Sequence, residues 1–395
     1  MTELELLTQL DALLDEDRDA ALRREQNAFD DAAGPLADRL VLFGAGNLGR
    51  KTLAGLRRVG TEPLAFSDND PNRWDTDVDG LMVLSPTEAA RRFGREACFV
   101  LTIWRGEGKD RMPDRIEPLK ALGCARVVPF TPLYWKYAAE FLPHYAMDLP
   151  HLILAQAEEI QAVGRLWSDS ASRQEYVAQL RWRLHMDFDG LLDPVAHEIY
   201  FPDDLFRIAD DESFVDCGAF DGDTLRRWFI RQPEFVGDIT AFEPDPQNFL
   251  KLEAYVASLP ETVRARIRTF PYAVAASRKK VRFDATGNEA AAVGAGNTEI
   301  DAVALDDLFE NRSPPTYIKM DTEGSEPAGI VGSRRIIHAN TPALALCVYH
   351  RQNHLWKVPS LVRAQSDDYA YFLRPHLLEG WDTVLYSIPK GRLLT

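Results

Sequence analysis

The chain carries apolar residues in two rhythms, a helical one near its start and shorter strand-like runs after it. Between residues 4 and about 30, leucines recur at helical spacing among acids and arginines: Leu6, Leu7, Leu10, Leu13 and Leu14. That spacing predicts an N-terminal helix, either a lead-in helix or a dimerisation helix. From Arg39 onward, β-rich runs separated by turn residues predict strands at 40–43, 63–66, 81–84 and 98–103.

Beyond residue 133 the pattern changes twice. Residues 134–191 hold long helix-compatible stretches with few strand signals, whereas strands and helices alternate from Phe214 to the end. Such alternation is typical of a mostly parallel sheet covered by helices on both faces. We therefore predict an α/β protein with four segments: an N-terminal helix at 1–33, a smaller Rossmann-like nucleotide-binding domain at 34–133, a helical connector at 134–205 and a doubly wound α/β domain at 206–395.

Length, charge and cysteine spacing narrow the classes of function. A chain of 395 residues exceeds the usual size of one hydrophobic core, and its formal net charge of -16 repels phosphate backbones and anionic lipids. The cysteines are scattered without the spacing of a zinc site, the N-terminus is acidic, and no apolar run approaches the roughly 20 residues of a membrane span. We expect a globular cytoplasmic protein that acts on a small molecule, without nucleic acid, membrane or metal.

A glycine-containing turn in the last segment predicts a cofactor site. An apolar strand runs through Asp216 into Gly218 and Gly222, and a helical run follows. Glycine lacks a Cβ, so the backbone of such a turn can approach a ligand closely. The turn also lies at the carboxyl end of a strand, where open α/β sheets bind ligands. Asp216 is placed to face an amino group of that ligand.

Acidic residues end two further strands of the same domain. Glu243 follows a strand at 238–242, where its carboxylate is placed to accept hydrogen bonds from two ribose hydroxyls. A third strand end is expected at 272–275, and a fourth strand at 316–320 delivers Asp321. Four strand ends are therefore predicted to converge on one crevice. This order of glycine turn and acidic strand ends is more specific than a glycine turn alone.

Residues 213–387 resemble the FkbM family of methyltransferases. The resemblance is carried by five segments: FVDCGAFDGDT, AFEPDPQNFLKLEA, AVALDDLF, YIKMDTEGSEPAGIVG and CVYHRQNHLWKVPSLV. It implies a class I methyltransferase fold, with a seven-stranded sheet whose last strand is antiparallel, and methyl transfer from S-adenosylmethionine, usually to a hydroxyl oxygen. By motif position it also implies cofactor-binding roles for a small set of residues: Asp216, Gly218, Gly222, Glu243 and Asp321.

Three residues near the fourth and fifth strand ends each have two alternative interpretations or depart from the family pattern. His350 follows the apolar run 344–349, and we predict that it acts with Asp321 as a catalytic residue that accepts the proton of the substrate hydroxyl. A buried structural histidine is the alternative. His354 stands where the family resemblance implies an acidic residue. Glu323 fits a catalytic or metal-binding acid and a first-turn helix glutamate equally well, so it is assigned to neither.

The first α/β segment contains a dinucleotide fingerprint. Gly44, Gly46 and Gly49 match G-x-G-x-x-G, and Asp68 follows at the distance where such folds place a ribose-binding acid. The stretch also resembles Rossmann-like domains attached to sugar-modifying enzymes, which implies nucleotide-sugar binding or a structural role. An NAD-dependent oxidoreductase is the rival interpretation, although no catalytic set follows the fingerprint.

The sequence thus predicts an S-adenosylmethionine-dependent O-methyltransferase. Its acceptor is expected to be a sugar, a glycan intermediate or a natural product. A non-catalytic nucleotide-binding or nucleotide-sugar-binding protein is the alternative from another class. Whether the chain forms a homo-oligomer is left open.

Overall fold

A computed structural model describes residues 2–284, 292–293, 296 and 298–394, so the outermost residues of the first and last predicted segments, 1 and 395, lie outside it. Helices in the first half are α1 Glu3–Leu14, α2 Arg18–Ala33, α3 Asn47–Arg58, α4 Pro86–Phe93, α5 Met112–Ala121, α6 Phe130–Lys136, α7 Ala138–Phe141, α8 Pro150–Leu154, α9 Ala157–Gly164 and α10 Ser170–His185. The later helices are α11 Asp223–Arg231, α12 Pro246–Ser258, α13 Glu261–Arg264, α14 Leu305–Leu308, α15 Glu326–Val331, α16 Arg334–Asn340 and α17 His354–Arg363.

The strands fall into three sheets. Those of the first α/β segment are β1 Leu40–Phe43, β2 Ala65–Ser67, β3 Asp77–Val78, β4 Leu81–Leu84, β5 Cys98–Leu101 and β6 Arg126–Pro129. Those of the second are β7 Ser213–Cys217, β8 Asp238–Phe242, β9 Ile267–Phe270, β10 Ala273–Val274, β11 Lys279–Asp284, β12 Ala292–Val293, β13 Thr298–Val303, β14 Tyr317–Met320, β15 Ala343–Cys347, β16 Tyr369–Pro375 and β17 Thr383–Pro389.

The predicted N-terminal helix is two helices. The first ends at Leu14, and Asp17 caps the second, because its side chain accepts a hydrogen bond from the backbone N–H of Ala20 at 3.0 Å. The apolar stripe of α1 packs against α9 and α10 of the same chain, and Leu6 and Leu10 are buried there. The α2 helix packs against α6 instead. The stripe that suggested dimerisation is therefore covered within the chain.

The first sheet has the order β3-β4-β2-β1-β5-β6, and every neighbouring pair except β3 with β4 is parallel. The predicted strands at 40–43 and 81–84 agree with the structure, and the one at 98–103 ends two residues early. Strands β3 and β6 were not predicted. Strand β3 has only two residues, and the run 126–129 lacks the alternation that identifies a half-buried strand.

The second large sheet has the order β16-β17-β15-β14-β7-β8-β9, in which β17 is antiparallel to both neighbours and the other pairs are parallel. This doubly wound arrangement confirms the predicted fold class. The strand end expected at 272–275 was placed wrongly. The third strand of this sheet, β9, ends at Phe270, and β10 pairs instead with β13 in a small separate sheet.

The helices predicted as a connector share a hydrophobic core with the second large sheet. Trp167 and Tyr176 pack in one buried cluster with strand residues of β7, β14 and β15. Ser172 of α10 accepts a hydrogen bond from the backbone N–H of Leu373 in β16 at 2.9 Å. Among the described residues, no helix is long and apolar enough to cross a membrane.

A buried ion pair joins the two α/β segments. Arg115 of α5 places a guanidinium nitrogen 2.9 Å from a carboxylate oxygen of Glu379, and both side chains are almost inaccessible to solvent. Next to it, the ring of Trp104 lies 4.8 Å from that of Trp381 between centroids. These contacts hold the carboxyl ends of the two large sheets against each other.

We predict that Arg115→Met lowers the free energy of unfolding by about 3–5 kcal/mol, because it leaves the Glu379 carboxylate buried without its partner. The double variant Arg115→Met/Glu379→Gln should recover part of that loss. Arg91→Met, which removes an exposed ion pair within α4, should leave the unfolding midpoint nearly unchanged. Denaturant unfolding followed by tryptophan fluorescence measures all three. An unchanged midpoint for Arg115→Met would contradict the role given to this pair.

Candidate active site

A cavity of about 780 Å³ lies between the carboxyl ends of the two large sheets. The first α/β segment contributes residues after β1 and β5, and the second contributes residues after β7, β8 and β14. Residues from both α/β segments line this cavity. Those from the first segment include Asn47, Trp104, Arg105, Gly106 and Glu107, and those from the rest of the chain include Tyr200, Gly218, Glu243, Lys319, Asp321, Glu323 and Trp381. This volume suits a cofactor and a small acceptor together.

The glycines of the turn after β7 are required by the protein backbone itself. Gly218 has a φ of +83°, and a Cβ there would lie 1.8 Å from the carbonyl oxygen of Asp321. Gly222 has a φ of +88°, and a Cβ there would lie 2.7 Å from the ring of Tyr255. Gly218 lines the cavity. The sequence prediction attributed both glycines to ligand approach, but the structure shows a close approach of two loops at the first and of a helix at the second.

Asp216 is fully buried behind the turn, where it pairs with Lys319. The two residues stand opposite each other on β7 and β14, and their charged atoms lie 2.9 Å apart. The ammonium group of Lys319 also donates a hydrogen bond to the carbonyl oxygen of Gly218 at 2.5 Å. Burial raises the pKa of Asp216 to about 6, and Lys319 opposes that rise. Asp216 therefore acts on the cavity through Lys319.

Glu243 lies on the cavity wall at the end of β8. Its two carboxylate oxygens accept hydrogen bonds from the backbone N–H groups of Phe220 and Asp245, both at 2.8 Å. Asp245 also caps α12. Burial raises the pKa of Glu243 to about 7, although these two backbone donors lower it. Each carboxylate oxygen keeps a second lone pair for a ligand.

Asp321 also lines the cavity, and two groups hold it. The hydroxyl of Tyr200 donates a hydrogen bond to Oδ2 of Asp321 at 2.7 Å. On the other side, Oδ1 of Asp321 lies 3.2 Å from Nε2 of His350. The predicted pair of Asp321 and His350 is therefore brought together, but His350 is buried behind Asp321 and is not part of the cavity wall.

A second carboxylate, Glu326, lies on the far side of the His350 ring. Its Oε1 is 2.9 Å from Nδ1 of His350, and its Oε2 is 3.1 Å from Nδ1 of His354. Oε1 also accepts a hydrogen bond from the backbone N–H of Thr322 at 2.8 Å. His354, which departs from the acidic residue that the resemblance implied, is thus a buried partner of Glu326. Glu326, not Glu323, is the first-turn glutamate of α15.

The charge state of His350 does not favour the predicted proton-accepting role. Burial alone would lower the pKa of His350, but the negative charges of Glu326 and Glu323 outweigh burial and raise it well above the usual value. The raised pKa favours the protonated, imidazolium form of the ring at neutral pH. An imidazolium donates protons and cannot accept one.

The fingerprint in the first α/β segment is also explained largely by packing. A Cβ on Gly49 would lie 1.9 Å from the carbonyl oxygen of Gly44, and Gly44 itself has a φ of +113°. Asp68 accepts hydrogen bonds from the backbone N–H groups of Ala45 at 2.8 Å and Asp70 at 2.9 Å. Gly46 differs, since a Cβ there would meet none of the described atoms within 4 Å. The residues of the predicted nucleotide site are therefore brought together, and the loop holds the Asp68 carboxylate in place.

Sequence reasoning missed Tyr200, Lys319 and Trp104. Tyr200 lies in a stretch without helical or strand periodicity, so nothing in the sequence connects it with Asp321. Lys319 did carry a signal, because a lysine inside an apolar strand needs a buried partner. Trp104 follows β5, and only the apposition of the two sheets places it at the site.

The residues that form this site match a known protein family. Residues 216–373 match the family described as the methyltransferase FkbM domain. These residues form an FkbM methyltransferase domain, and the chain is a methyltransferase. A comparison with curated protein sequences found no match.

The methyltransferase also resembles solved structures. The crystal structure of a methyltransferase FkbM from Methylobacillus flagellatus is 24% identical, covers 97% of this chain and 98% of its own, and has a TM-score of 0.75. The overall fold, including both large sheets, is shared with that protein. A UDP-D-quinovosamine 4-dehydrogenase from Vibrio fischeri is 24% identical over 23% of this chain and 75% of its own, with a TM-score of 0.19 that supports no conclusion.

We predict that Gly218→Ala destabilises the methyltransferase by more than about 1–2 kcal/mol, because alanine adds a left-handed backbone penalty and a clash with the Asp321 carbonyl. Gly46→Ala is the matched control in the other glycine turn, since its φ of -82° and open surroundings accept a methyl group. Thermal melting of both variants tests this. Equal melting temperatures would show that the loop contact is not a constraint.

Proposed function

We propose that the methyltransferase moves a methyl group from S-adenosylmethionine to a hydroxyl of an uncharged, sugar-like acceptor. The observation that carries this proposal is the shared cavity. One wall presents the glycine turn and Glu243 of the methyltransferase domain, and the opposite wall presents Trp104 and Arg105 from another α/β sheet. A cofactor and an acceptor can therefore meet between two sheet edges.

Glu243 and the turn at Gly218 fit the cofactor. The Glu243 carboxylate is fixed by two backbone donors and keeps acceptor capacity for the two ribose hydroxyls. The cofactor carries a sulfonium and an ammonium group, which suit a cavity rich in carboxylates. Asp321 closes the methyl-donor side in this arrangement, and the Tyr200 hydroxyl keeps its carboxylate in place.

Methyl transfer mainly requires that the reacting atoms are aligned. The bound cofactor supplies an electrophilic methyl carbon, so the carbon–sulfur bond breaks as the acceptor oxygen forms a carbon–oxygen bond. Holding the hydroxyl in line with that methyl group provides most of the rate enhancement. Asp321 and Glu323 are the carboxylates on this wall that can orient the hydroxyl or receive its proton.

The charge of the wall favours an uncharged acceptor. Among the described residues, six carboxylates line the cavity, those of Glu107, Asp223, Glu243, Asp321, Glu323 and Asp382, against three cations, those of Arg105, Arg227 and Lys319. This excess repels a diphosphate. The rings of Trp104, Trp381 and Tyr145 form a cluster. The centroid of the Trp381 ring lies 4.8 Å from that of Trp104 and 4.8 Å from that of Tyr145. Such an aromatic face suits the apolar face of a sugar ring and favours a sugar over a nucleotide sugar.

A protein that binds the cofactor without turnover is the competing function. Incubation with isotopically labelled S-adenosylmethionine and a mixed pool of cell metabolites separates the two. The proposal expects label in an O-methyl group of a sugar or glycan. Label only in a natural-product hydroxyl would keep the transferase and remove the sugar, whereas cofactor binding without any labelled product would favour the binding protein. Substrate-dependent reduction of NAD or NADP would favour the oxidoreductase instead.

We predict that Glu243→Gln weakens S-adenosylmethionine binding at least about tenfold. A Gln side chain has the same shape as Glu, but it offers one carbonyl oxygen in place of the two carboxylate oxygens that accept from backbone donors. A hydrogen bond to a charged group is typically worth about 1.5–3 kcal/mol. Calorimetry of the full chain measures the affinity, with the exposed Glu261→Gln as control. Unchanged affinity in a folded Glu243→Gln protein would exclude this carboxylate from the cofactor site.

We also predict that cofactor affinity depends on pH through Glu243. Because burial raises its pKa to about 7, lowering the pH from 8 to 6 protonates it and removes acceptor capacity for the ribose. Affinity should be maximal above pH 8 and fall about tenfold per pH unit below the pKa, if only the ionised form binds. Glu243→Gln should flatten this profile between pH 6 and 8. A profile that keeps its slope in the variant would assign the titration to another group.

A further inference from the structure

The strongest feature outside the proposed cofactor site is the cluster of carboxylates around His350. Donor atoms of Asp321, Glu326 and His350 all lie within 4.8 Å of one another. Glu323 adds a third carboxylate, with Oε1 at 3.4 Å from Nε2 of His350. Glu326 and His350 are buried, while Asp321 and Glu323 also face the cavity.

The contacts at Nε2 of His350 do not have the character of hydrogen bonds. Nε2 lies 3.2 Å from Asp321 and 3.4 Å from Glu323, whereas a charge-assisted N–H to carboxylate bond is about 2.7–2.9 Å long. Among the residues that the structure describes, neither Nε2 of His350 nor Oδ1 of Asp321 finds a hydrogen-bond partner of normal geometry. One buried nitrogen thus lies close to oxygens of two carboxylates without a hydrogen bond of normal length to either.

These separations match ligands that share a metal ion. Nitrogen and oxygen ligands bind divalent ions at about 2.1 Å, which places neighbouring ligand atoms roughly 3.0 Å apart in an octahedron and 3.4 Å apart in a tetrahedron. The spacings at His350 fall between these values or at their limit.

We propose that Nε2 of His350 and the carboxylates of Asp321 and Glu323 bind a divalent transition-metal ion at the cavity wall. One imidazole with two carboxylates suits Mn²⁺ or Zn²⁺ better than Mg²⁺, which prefers oxygen ligands and water. The ion enters from the cavity, since both carboxylates line it. This site departs from the sequence expectation of no metal, and it gives Glu323 the metal-binding role that the sequence left open.

Glu326 is the positioning residue of this site. Its Oε1 lies on the Nδ1 side of His350 and is anchored by the backbone N–H of Thr322, which fixes the carboxylate beside the ring. A carboxylate on the second ring nitrogen of a metal-binding histidine orients the ring and raises its basicity. A cation at Nε2 then supplies the positive charge that the three carboxylates require, and the imidazole stays neutral as a ligand.

The catalytic part of this proposal rests on the proposed methyl transfer. A metal ion held by His350, Asp321 and Glu323 would act as a Lewis acid toward the acceptor hydroxyl and lower its pKa, so that the proton would pass to water instead of to these carboxylates. An oxygen lone pair then forms the bond to the methyl carbon, and the electron pair of the breaking bond stays on the neutral sulfur. Metal binding itself requires no methyl donor and can be tested without one.

The test is titration of the tag-free, metal-stripped full chain with Mn²⁺, followed by electron paramagnetic resonance. We expect about one Mn²⁺ per chain, with a ¹⁴N coupling from the imidazole, displacement by Zn²⁺ and retention in the presence of equimolar Mg²⁺. Absence of Mn²⁺ and Zn²⁺ binding, bound Mn²⁺ without nitrogen coupling, or displacement by equimolar Mg²⁺ would each overturn the proposal. The first of these results would leave an imidazolium held by carboxylates.

Four variants localise the ion. Asp321→Asn and His350→Gln should weaken Mn²⁺ binding by more than a hundredfold, and Glu326→Gln by about 10–100-fold, the usual cost of losing such a partner. His338→Gln is the control, because this histidine lies outside the cluster and contacts the backbone of Gln365. Unchanged Mn²⁺ affinity in folded Asp321→Asn would overturn the site. If a variant fails to fold, the stoichiometry and nitrogen coupling of the unaltered protein still decide the question.

Failure of this proposal is separable from failure of the proposed function. S-adenosylmethionine affinity is measured on the metal-stripped protein and depends on Glu243. Cofactor binding without metal binding would overturn the metal site alone, whereas metal binding without cofactor binding would overturn the methyl-transfer proposal and leave the metal site standing.

Discussion

A single buried ammonium group, that of Lys319, holds the two halves of the methyltransferase site together. It pairs with Asp216 on the neighbouring strand, donates to the carbonyl of Gly218 and lies 5.1 Å from the centre of the Tyr200 ring. Tyr200 in turn holds Asp321. Burying a lysine is tolerated only with such compensation. The glycine turn and the acidic strand end are therefore parts of one buried polar unit between β7 and β14.

The surroundings of that unit are strongly negative, and this negative charge has to be balanced by a cation. Asp321, Glu323 and Glu326 converge on His350 with little solvent to screen them. Two arrangements balance this charge, an imidazolium within the cluster or a metal ion that leaves the ring neutral. Asp321 and Glu323 also form the cavity wall on which the acceptor hydroxyl is proposed to lie. Whether an imidazolium or a metal ion balances the carboxylates therefore decides how that hydroxyl loses its proton.

The second wall of the cavity depends on contacts between distant parts of the chain. Arg115 and Glu379 are 264 residues apart in sequence, and their buried pair lies beside the packed rings of Trp104 and Trp381. These contacts place the carboxyl edge of the first sheet against the methyltransferase domain. Trp104 and Arg105 thereby become part of one site with Glu243, although neither belongs to a motif.

The sequence alone determined the α/β class, the second large sheet and the strand ends that carry Gly218, Glu243 and Asp321, because helical and strand periodicity and glycine turns are local properties of the chain. It did not determine the break at Asp17, the separate small sheet of β10, or β6, where local patterns are weak. Tertiary structure decided what those strand ends do. Only packing showed that Gly218 is required by the Asp321 carbonyl and that Asp216 is buried against Lys319. His350 was located correctly beside Asp321, but its charge depends on Glu323 and Glu326, and electrostatics of that kind arise from distances in space that periodicity along the chain does not contain.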